Sequence, residues 1–178
     1  MSPALLLTGA PGCGKTTALR HALEGYLLHS SPDAPACGGF YTREVRRHGS
    51  RDGFEIVTLD GQHGLLAHVD IPGPLRVEHY GVDLTTLEQV AIPALRQAHA
   101  AGGMVIIDEI GPMETFSSLF CQVVEEILSA PGCVVGTIVQ RSTPFTDKLK
   151  RLPGVTLLEV NLSNRESMAE RILEWMIT

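Results

Sequence analysis

Gly9-Ala10-Pro11-Gly12-Cys13-Gly14-Lys15-Thr16 completes the pattern G-x-x-x-x-G-K-[ST] and stands directly after a short apolar run, Ala4-Leu5-Leu6-Leu7. The run reads as a buried strand. The residues beyond the loop read as a helix with Ala18, Leu19, Ala22, Leu23 and Leu27 on its inner face and Gly25 weakening its last turn. Strand, glycine loop and helix in that order form a cradle for a polyphosphate. The glycines let successive backbone N–H groups turn inward, Lys15 reaches the outer phosphates, and the Thr16 hydroxyl suits a Mg²⁺ ligand. The positive end of the helix adds to the attraction. Gly9, Ala10, Pro11, Gly12, Cys13, Gly14, Lys15, Thr16 and Thr17 are therefore the expected nucleotide-binding residues, with Lys15 also catalytic. Cys13 reads as a small filler whose backbone does the binding.

The 178 residues, 44% of them hydrophobic, suit one α/β domain over 1–178 with a full core. A net charge of −6 gives no general attraction to nucleic acid or anionic membrane, so neither is an expected partner. Cys13, Cys37, Cys121 and Cys133 lie far apart without C-x-x-C spacing and read as reduced thiols, which points to the cytosol. No apolar run reaches membrane-span length and no leader precedes the first strand, so a soluble cytoplasmic protein, monomeric or weakly oligomeric, is expected.

Further along, Gly38 to Thr42 leads through Val45 and a polar turn, 47–53, into Phe54 to Leu59, which pair back as a hairpin. Residues 60–80 are rich in Gly, Pro and His, with one short strand at Leu65 to Val69. Leu84, Leu87, Ala91, Ala94, Leu95 and Ala98 then mark a helix with a Thr85/Glu88 capping box and a kink or break at Pro93, ended by Gly102-Gly103. Met104 to Ile107 has the unbroken apolar character of a strand buried on both faces. Phe116, Leu119, Phe120, Val123, Val124, Ile127 and Leu128 keep helical spacing. Cys133 to Val139 and Val155 to Val160 read as two more buried strands, separated by a polar, basic segment. A final helix is capped by Ser163/Glu166, with Met168, Ile172, Leu173 and Met176 inside. Alternation of this kind implies a mainly parallel sheet covered by helices on both faces, with ligands at the carboxyl ends of its strands.

Asp108, at the end of the buried strand, is suited to hold Mg²⁺ with Thr16, and Glu109 beside it is placed to orient or deprotonate a water at the terminal phosphate. The run Asp108-Glu109-Ile110-Gly111-Pro112-Met113-Glu114 resembles the D-E-I-G-x-M-E signature of the small nucleoside-triphosphatase family known from thermophiles and animals. Gly39-Phe40-Tyr41-Thr42-x-Glu44-Val45-Arg46 and Gly49-x-Arg51-x-Gly53-Phe54 are similar to that family's second block, and Tyr80-Gly81-Val82, Gly136-Thr137 and Asn164-Arg165 to shorter elements. The resemblance spans nearly the whole chain.

It implies a P-loop NTPase fold of the ATPase-like kind with a catalytic Glu and a β-hairpin insertion. It also implies Mg²⁺-dependent hydrolysis of several nucleoside triphosphates (ATP, GTP, CTP, UTP) to diphosphate and phosphate. The implied base is Glu109 and the implied metal carboxylate Asp108. The second nucleotide-facing segment is Met104, Val105, Ile106, Ile107, Asp108, Glu109, Ile110 and Gly111.

Arg43, Arg46, Arg47, His48 and Arg51 around the hairpin turn read first as a solvated, charged turn; as phosphate contacts, the family match ranks Arg46 and Arg51 above the others. Arg141, Lys148, Lys150 and Arg151 suit a lid with an arginine finger acting in cis or in trans. Gln140 or Thr137 suits a γ-phosphate sensor, and Arg165 a base or ribose contact. No N-K-x-D guanine-reading motif occurs, and His21, His63 and His79 lack zinc-ligand spacing. A kinase acting on a nucleoside or small metabolite, and a nucleotide-gated regulatory module, share the phosphate loop and stay open alternatives.

Overall fold

The computed structural model describes residues 3–178. β1 (Ala4–Thr8) is buried throughout, as its apolar run requires, and the loop delivers the chain into α1 (Lys15–His29) through Gly14, whose φ of 106° a residue with a Cβ rarely adopts. The inner face of α1 is Ala18, Leu19, Ala22, Leu23 and Tyr26, whereas Leu27 stands 61% exposed. Tyr26 takes the inward position because its hydroxyl finds a partner, donating to the Pro35 carbonyl at 2.9 Å. Gly25 does not end the helix. A Cβ there would meet Leu173 Cδ2 at 3.0 Å, so the glycine lets the last helix pack close.

β2 (Cys37–Arg47) and β3 (Ser50–Thr58) pair antiparallel. Their connection contracts to His48-Gly49, both at positive φ, so the expected polar turn over 47–53 is mostly strand. β4 (His63–His68) takes up most of the strand expected at Leu65 to Val69, while β5 (Arg76–Val77) and β6 (Tyr80–Val82) extend the sheet further, which the Gly, Pro and His content of this segment concealed.

Asp83, not Thr85, caps α2 (Leu84–Thr86), its carboxylate accepting from the Thr85 N–H at 2.8 Å, while Glu88 accepts from the Ser117 hydroxyl at 2.6 Å. A π-helical turn, Leu87–Ala91, comes next, in which the Ile92 N–H donates five residues back to Leu87, and α3 (Ile92–Ala100) starts again with Pro93 in its first turn. The break at Pro93 is thus a change of hydrogen-bond step.

β7 (Met104–Ile110) leads through a short 3₁₀ turn, Glu114–Phe116, to α4 (Ser118–Ser129), capped by the Ser117 hydroxyl, with Phe116 39% exposed instead of on the inner face. After β8 (Cys133–Ile138), the basic segment contains α5 (Pro144–Lys150), started by a Thr143/Thr146 capping box. β9 (Val155–Glu159) is an edge strand with Leu157 41% exposed, so it is not buried on both faces. α6 (Arg165–Ile177) begins later than Ser163, because the Asn161 side chain accepts the Ser163 and Asn164 N–H groups at 2.9 and 3.2 Å.

The strands form one sheet in the order β5-β6-β4-β3-β2-β7-β8-β1-β9. From β2 to β9 all pairings are parallel; β3, β4, β6 and β5 add an antiparallel wing at the other edge of β2. The sheet is therefore mixed, because short turns join the wing strands and only antiparallel neighbours tolerate them. Helices cover both faces: α1 and α6 on one side, α3 and α4 on the other, each over its own apolar cluster. Phe40 lies opposite Ile107, so the rest of β2 outruns β7 and raises the wing as a wall above the carboxyl edge of the parallel strands.

The β2–β7 seam depends on Gly39, whose φ is +110° and where a Cβ would lie 2.1 Å from the Ile106 carbonyl oxygen. Gly39→Ala is expected to cost more than about 2 kcal/mol of stability, combining backbone strain with a forced opening of the seam. Urea unfolding checks this, and an unchanged midpoint would contradict the close approach.

Candidate active site

The loop after β1 and the end of β7 meet at the Asp108 carboxylate, which is fully buried. Its Oδ1 accepts from the Thr16 hydroxyl at 3.0 Å and from the Thr137 hydroxyl, on neighbouring β8, at 2.6 Å. Burial pushes its pKa up and the two hydroxyls oppose that. Its other oxygen, Oδ2, is buried without a hydrogen-bond partner. A desolvated carboxylate oxygen left open beside a threonine hydroxyl fits a hard divalent cation, so Thr16 and Asp108 suit Mg²⁺. Among the described residues no group of three or more His, Cys, Asp or Glu side chains forms a separate metal cluster. Mg²⁺ needs none, since it takes few protein ligands beside phosphate and water.

Lys15, only 7% exposed, donates to the Gly9 and Ala10 carbonyls of its own loop at 3.0 and 3.3 Å. The β7–β8 pairing shifts between Ile107 and Ile110, which takes Asp108 and Glu109 out of the regular ladder. Asp108 turns to the threonines, and Glu109 lines a cleft of about 890 Å³ across from Lys15. Burial raises the Glu109 pKa; the Lys15 ammonium lowers it in part, and Asp108 adds to the rise.

The cleft takes Gly9, Pro11, Gly12, Gly14, Lys15, Thr16 and Thr17 from the loop and helix, with Gln140 and Arg141 after β8 and Arg51 from the wing. Cys13 is buried at 5% exposure and neither it nor Ala10 lines the cleft with its side chain. Met104, Val105, Ile106, Ile107 and Ile110 are buried in the two apolar clusters. From the expected segment Met104 to Gly111, only Glu109 lines the cleft, because a central strand sends its side chains into the layers above and below the sheet.

Arg46 lies outside the cleft, paired with Glu44 at 2.6 Å and donating to the Gly49 carbonyl at 3.2 Å in the exposed part of the hairpin. Arg51 is held by Glu44 and the Tyr80 hydroxyl, each at 3.1 Å. Arg165 packs over the loop, its Cβ and Cδ 3.6 and 3.7 Å from where a Cβ on Gly14 would stand. The basic segment is tied down: Lys148 pairs with Glu125 on α4, and Lys150 donates to the Gln140 carbonyl at 3.2 Å.

Two features escaped the sequence reading. Arg20 lines the cleft, with its guanidinium 4.9 Å from the Tyr41 ring centre. Glu114, 4% exposed, also faces it, and burial together with the neighbouring Glu109 raises its pKa to about 8. Gly111 makes the approach of these carboxylates possible, since a Cβ there would lie 3.0 Å from Glu114 Oε2 and 3.1 Å from Glu109 Cγ. Its place in the D-E-I-G-P-M-E run was the available signal, but nothing in the spacing tells that the 3₁₀ turn folds it back.

A family model described as NTPase matches residues 4–173. The chain belongs to that family. This NTPase is 43% identical over 95% of its length to the Nucleoside-triphosphatase THEP1 of Thermotoga petrophila, covering 90% of that protein. It is 41% identical to the human Cancer-related nucleoside-triphosphatase, with 97% of this chain and 96% of that one covered. Among solved structures, the crystal structure of THEP1 from the hyperthermophile Aquifex aeolicus superposes with a TM-score of 0.85 at 34% identity, covering 98% and 99% of the two chains. The fold is accordingly that of a P-loop NTPase, a nucleotide-binding hydrolase, and among the described residues no helix of the NTPase is long and apolar enough to cross a membrane.

Glu114 keeps its proton up to about pH 8 in the folded chain, against an ordinary value of 4.5. The folded state therefore binds the extra proton, and stability declines as pH rises from the ordinary value through the folded one. Glu114→Gln, a neutral side chain of the same size, is expected to flatten that decline. Urea midpoints across this range test it, and equal slopes in both chains would refute the buried-carboxyl account.

Proposed function

We propose that the cleft hydrolyses nucleoside triphosphates of several bases to the diphosphate and phosphate, with Mg²⁺ held by Thr16 and Asp108 and with Glu109 as the base that activates water. The observation carrying this reading is Glu109 itself: outside the strand ladder, lining the cleft across from Lys15, with its pKa raised. Burial makes a carboxylate there a stronger base than a solvated one, and the Lys15 ammonium opposes that rise in part. Bound Mg²⁺ would neutralise charge shared by the β- and γ-phosphates.

The protein groups do the rest. Loop amides from Gly9 to Thr16 bind phosphate oxygens, and Lys15 exchanges its two carbonyl partners for the outer phosphates. Glu109 takes a proton from the water as its oxygen attacks the γ-phosphorus in line, and the bond to the β-bridging oxygen breaks. Arg141 and Gln140, after β8, line the cleft where they can meet developing charge; Arg165 is placed to meet ribose or base. Breadth towards the base follows from a grip made on phosphates. The related proteins are named for nucleoside triphosphates without a particular base, which agrees with it.

Glu109→Gln is expected to lower phosphate release from Mg-ATP at least about a hundredfold while leaving nucleotide binding in place. Lys15→Ala should damage both. Release assays on a panel of triphosphates, with binding followed separately, decide it. Turnover retained by Glu109→Gln would remove the assigned base.

A further inference from the structure

The cleft is longer than its phosphate-binding half. Past Glu109, away from the loop, it continues into a chamber walled by Phe54, Leu66, Val77, Tyr80 and Met113. Phe54 and Tyr80 meet edge to face with centroids 5.3 Å apart, and the Arg51 guanidinium lies 5.1 and 5.7 Å from those rings.

Position assigns this chamber to something other than the triphosphate's own nucleoside. Phe54, Leu66 and Tyr80 sit on β3, β4 and β6, on one side of β7, while β1 and its loop lie on the other. At about 4.8 Å per strand, the chamber is displaced roughly 10–20 Å from β7 in the direction away from the loop. A phosphate loop cradles the α- and β-phosphates with its amides and reaches the β- and γ-phosphates with its lysine. A triphosphate whose last phosphorus meets Glu109 thus trails its nucleoside back over the loop, where Arg165 packs. The chamber faces that phosphorus from the opposite side, the direction from which an in-line nucleophile arrives.

Charge narrows the occupant. Arg51 is already paired with Glu44 at 3.1 Å, and Arg43 with Glu55 at 2.6 Å, so the guanidinium offers a stacking plane more than an open anion site. With Arg51 and Arg43 each sharing a carboxylate, and Arg20 and Arg141 borne by α1 and the segment after β8, the aromatic end of the cleft suits a ring-bearing alcohol that carries no phosphate.

We propose that the chamber seats a neutral nucleoside as phosphoryl acceptor, giving this NTPase a second activity in which the γ-phosphoryl group passes to the acceptor's hydroxyl. The inference rests on Glu109 facing the terminal phosphate. In the step, the acceptor O–H gives its proton to Glu109 and its oxygen bonds to the γ-phosphorus. The bond from that phosphorus to the β-bridging oxygen breaks, leaving a nucleoside diphosphate and a phosphorylated acceptor. Phe54 and Arg51 hold the ring, and water takes the acceptor's place when the chamber is empty.

The test supplies ATP labelled in its γ-phosphate, with Mg²⁺ and adenosine, guanosine, cytidine or uridine in turn, and separates labelled nucleoside monophosphate from labelled phosphate. The native chain is expected to form the labelled nucleotide with at least one of them, with phosphate release falling in step. Phe54→Leu should lower the ratio of labelled nucleotide to labelled phosphate about tenfold, and Phe54→Tyr, which keeps a ring, should restore it. Phosphate release without labelled nucleotide for all four nucleosides overturns the proposal. So does a Phe54→Leu chain whose KM for ATP rises while the ratio stays constant, which would put the triphosphate's own base in the chamber. Failure of the base assignment reads out separately, as phosphate release retained by Glu109→Gln when no nucleoside is present.

Discussion

One buried carboxylate holds the two halves of the site in register. Asp108 has no contact with solvent, and an ion in that position is tolerable only where hydrogen bonds or a counter-charge replace its water. Its partners come from separate parts of the chain, Thr16 at the start of α1 and Thr137 on β8, so satisfying one carboxylate fixes a helix and two strands against each other. The neighbouring strand makes room for this. A Cβ on Gly136 would stand 2.4 Å from the Ile107 carbonyl oxygen, so the glycine beside Thr137 lets β8 close onto β7 where the ladder shifts. Displace Asp108 and the loop loses its alignment with Glu109.

The parts of this arrangement legible in the sequence were those with strong local signatures. The phosphate loop announced its flanking strand and helix, and the apolar run before Asp108 announced a central strand. What stayed hidden depended on tertiary partners. Tyr26 displaced Leu27 from the inner face of α1 because a carbonyl 9 residues away accepts its hydroxyl. The cap at Asp83 and the turn held by Asn161 won over capping boxes of equal local appeal, since Glu88 was drawn to Ser117 and the Asn161 carboxamide reached two N–H groups at once ahead of the last helix. β5 and β6 are too short to show alternation and exist because β4 offers an edge. Glu114 ended the D-E-I-G-P-M-E run without an assigned role and is a buried acid, because Gly111 and the 3₁₀ turn let it approach Glu109.

The two kinds of sheet divide the labour. Parallel strands between β2 and β9 bury a rigid floor and bring the loop, Asp108 and Glu109 to one edge. The antiparallel wing leaves one face open to the cleft and supplies residues the floor cannot, among them Arg51, Phe54 and Tyr80. β2 belongs to both, and its outer half carries Thr42 and Glu44 to the cleft. The β2 backbone pairs with both wall and floor, joining them in one sheet.

The two bonds from Lys15 to the Gly9 and Ala10 carbonyls make the loop its own competitor. Under the proposed mechanism, an incoming triphosphate must displace ligands that never dissociate, which subtracts from affinity. After cleavage the comparison changes, since each product carries less charge at the lysine than the intact chain of phosphates did. The loop's carbonyls then reclaim the ammonium more readily, and the grip loosens at the stage of turnover when holding on would slow the next cycle.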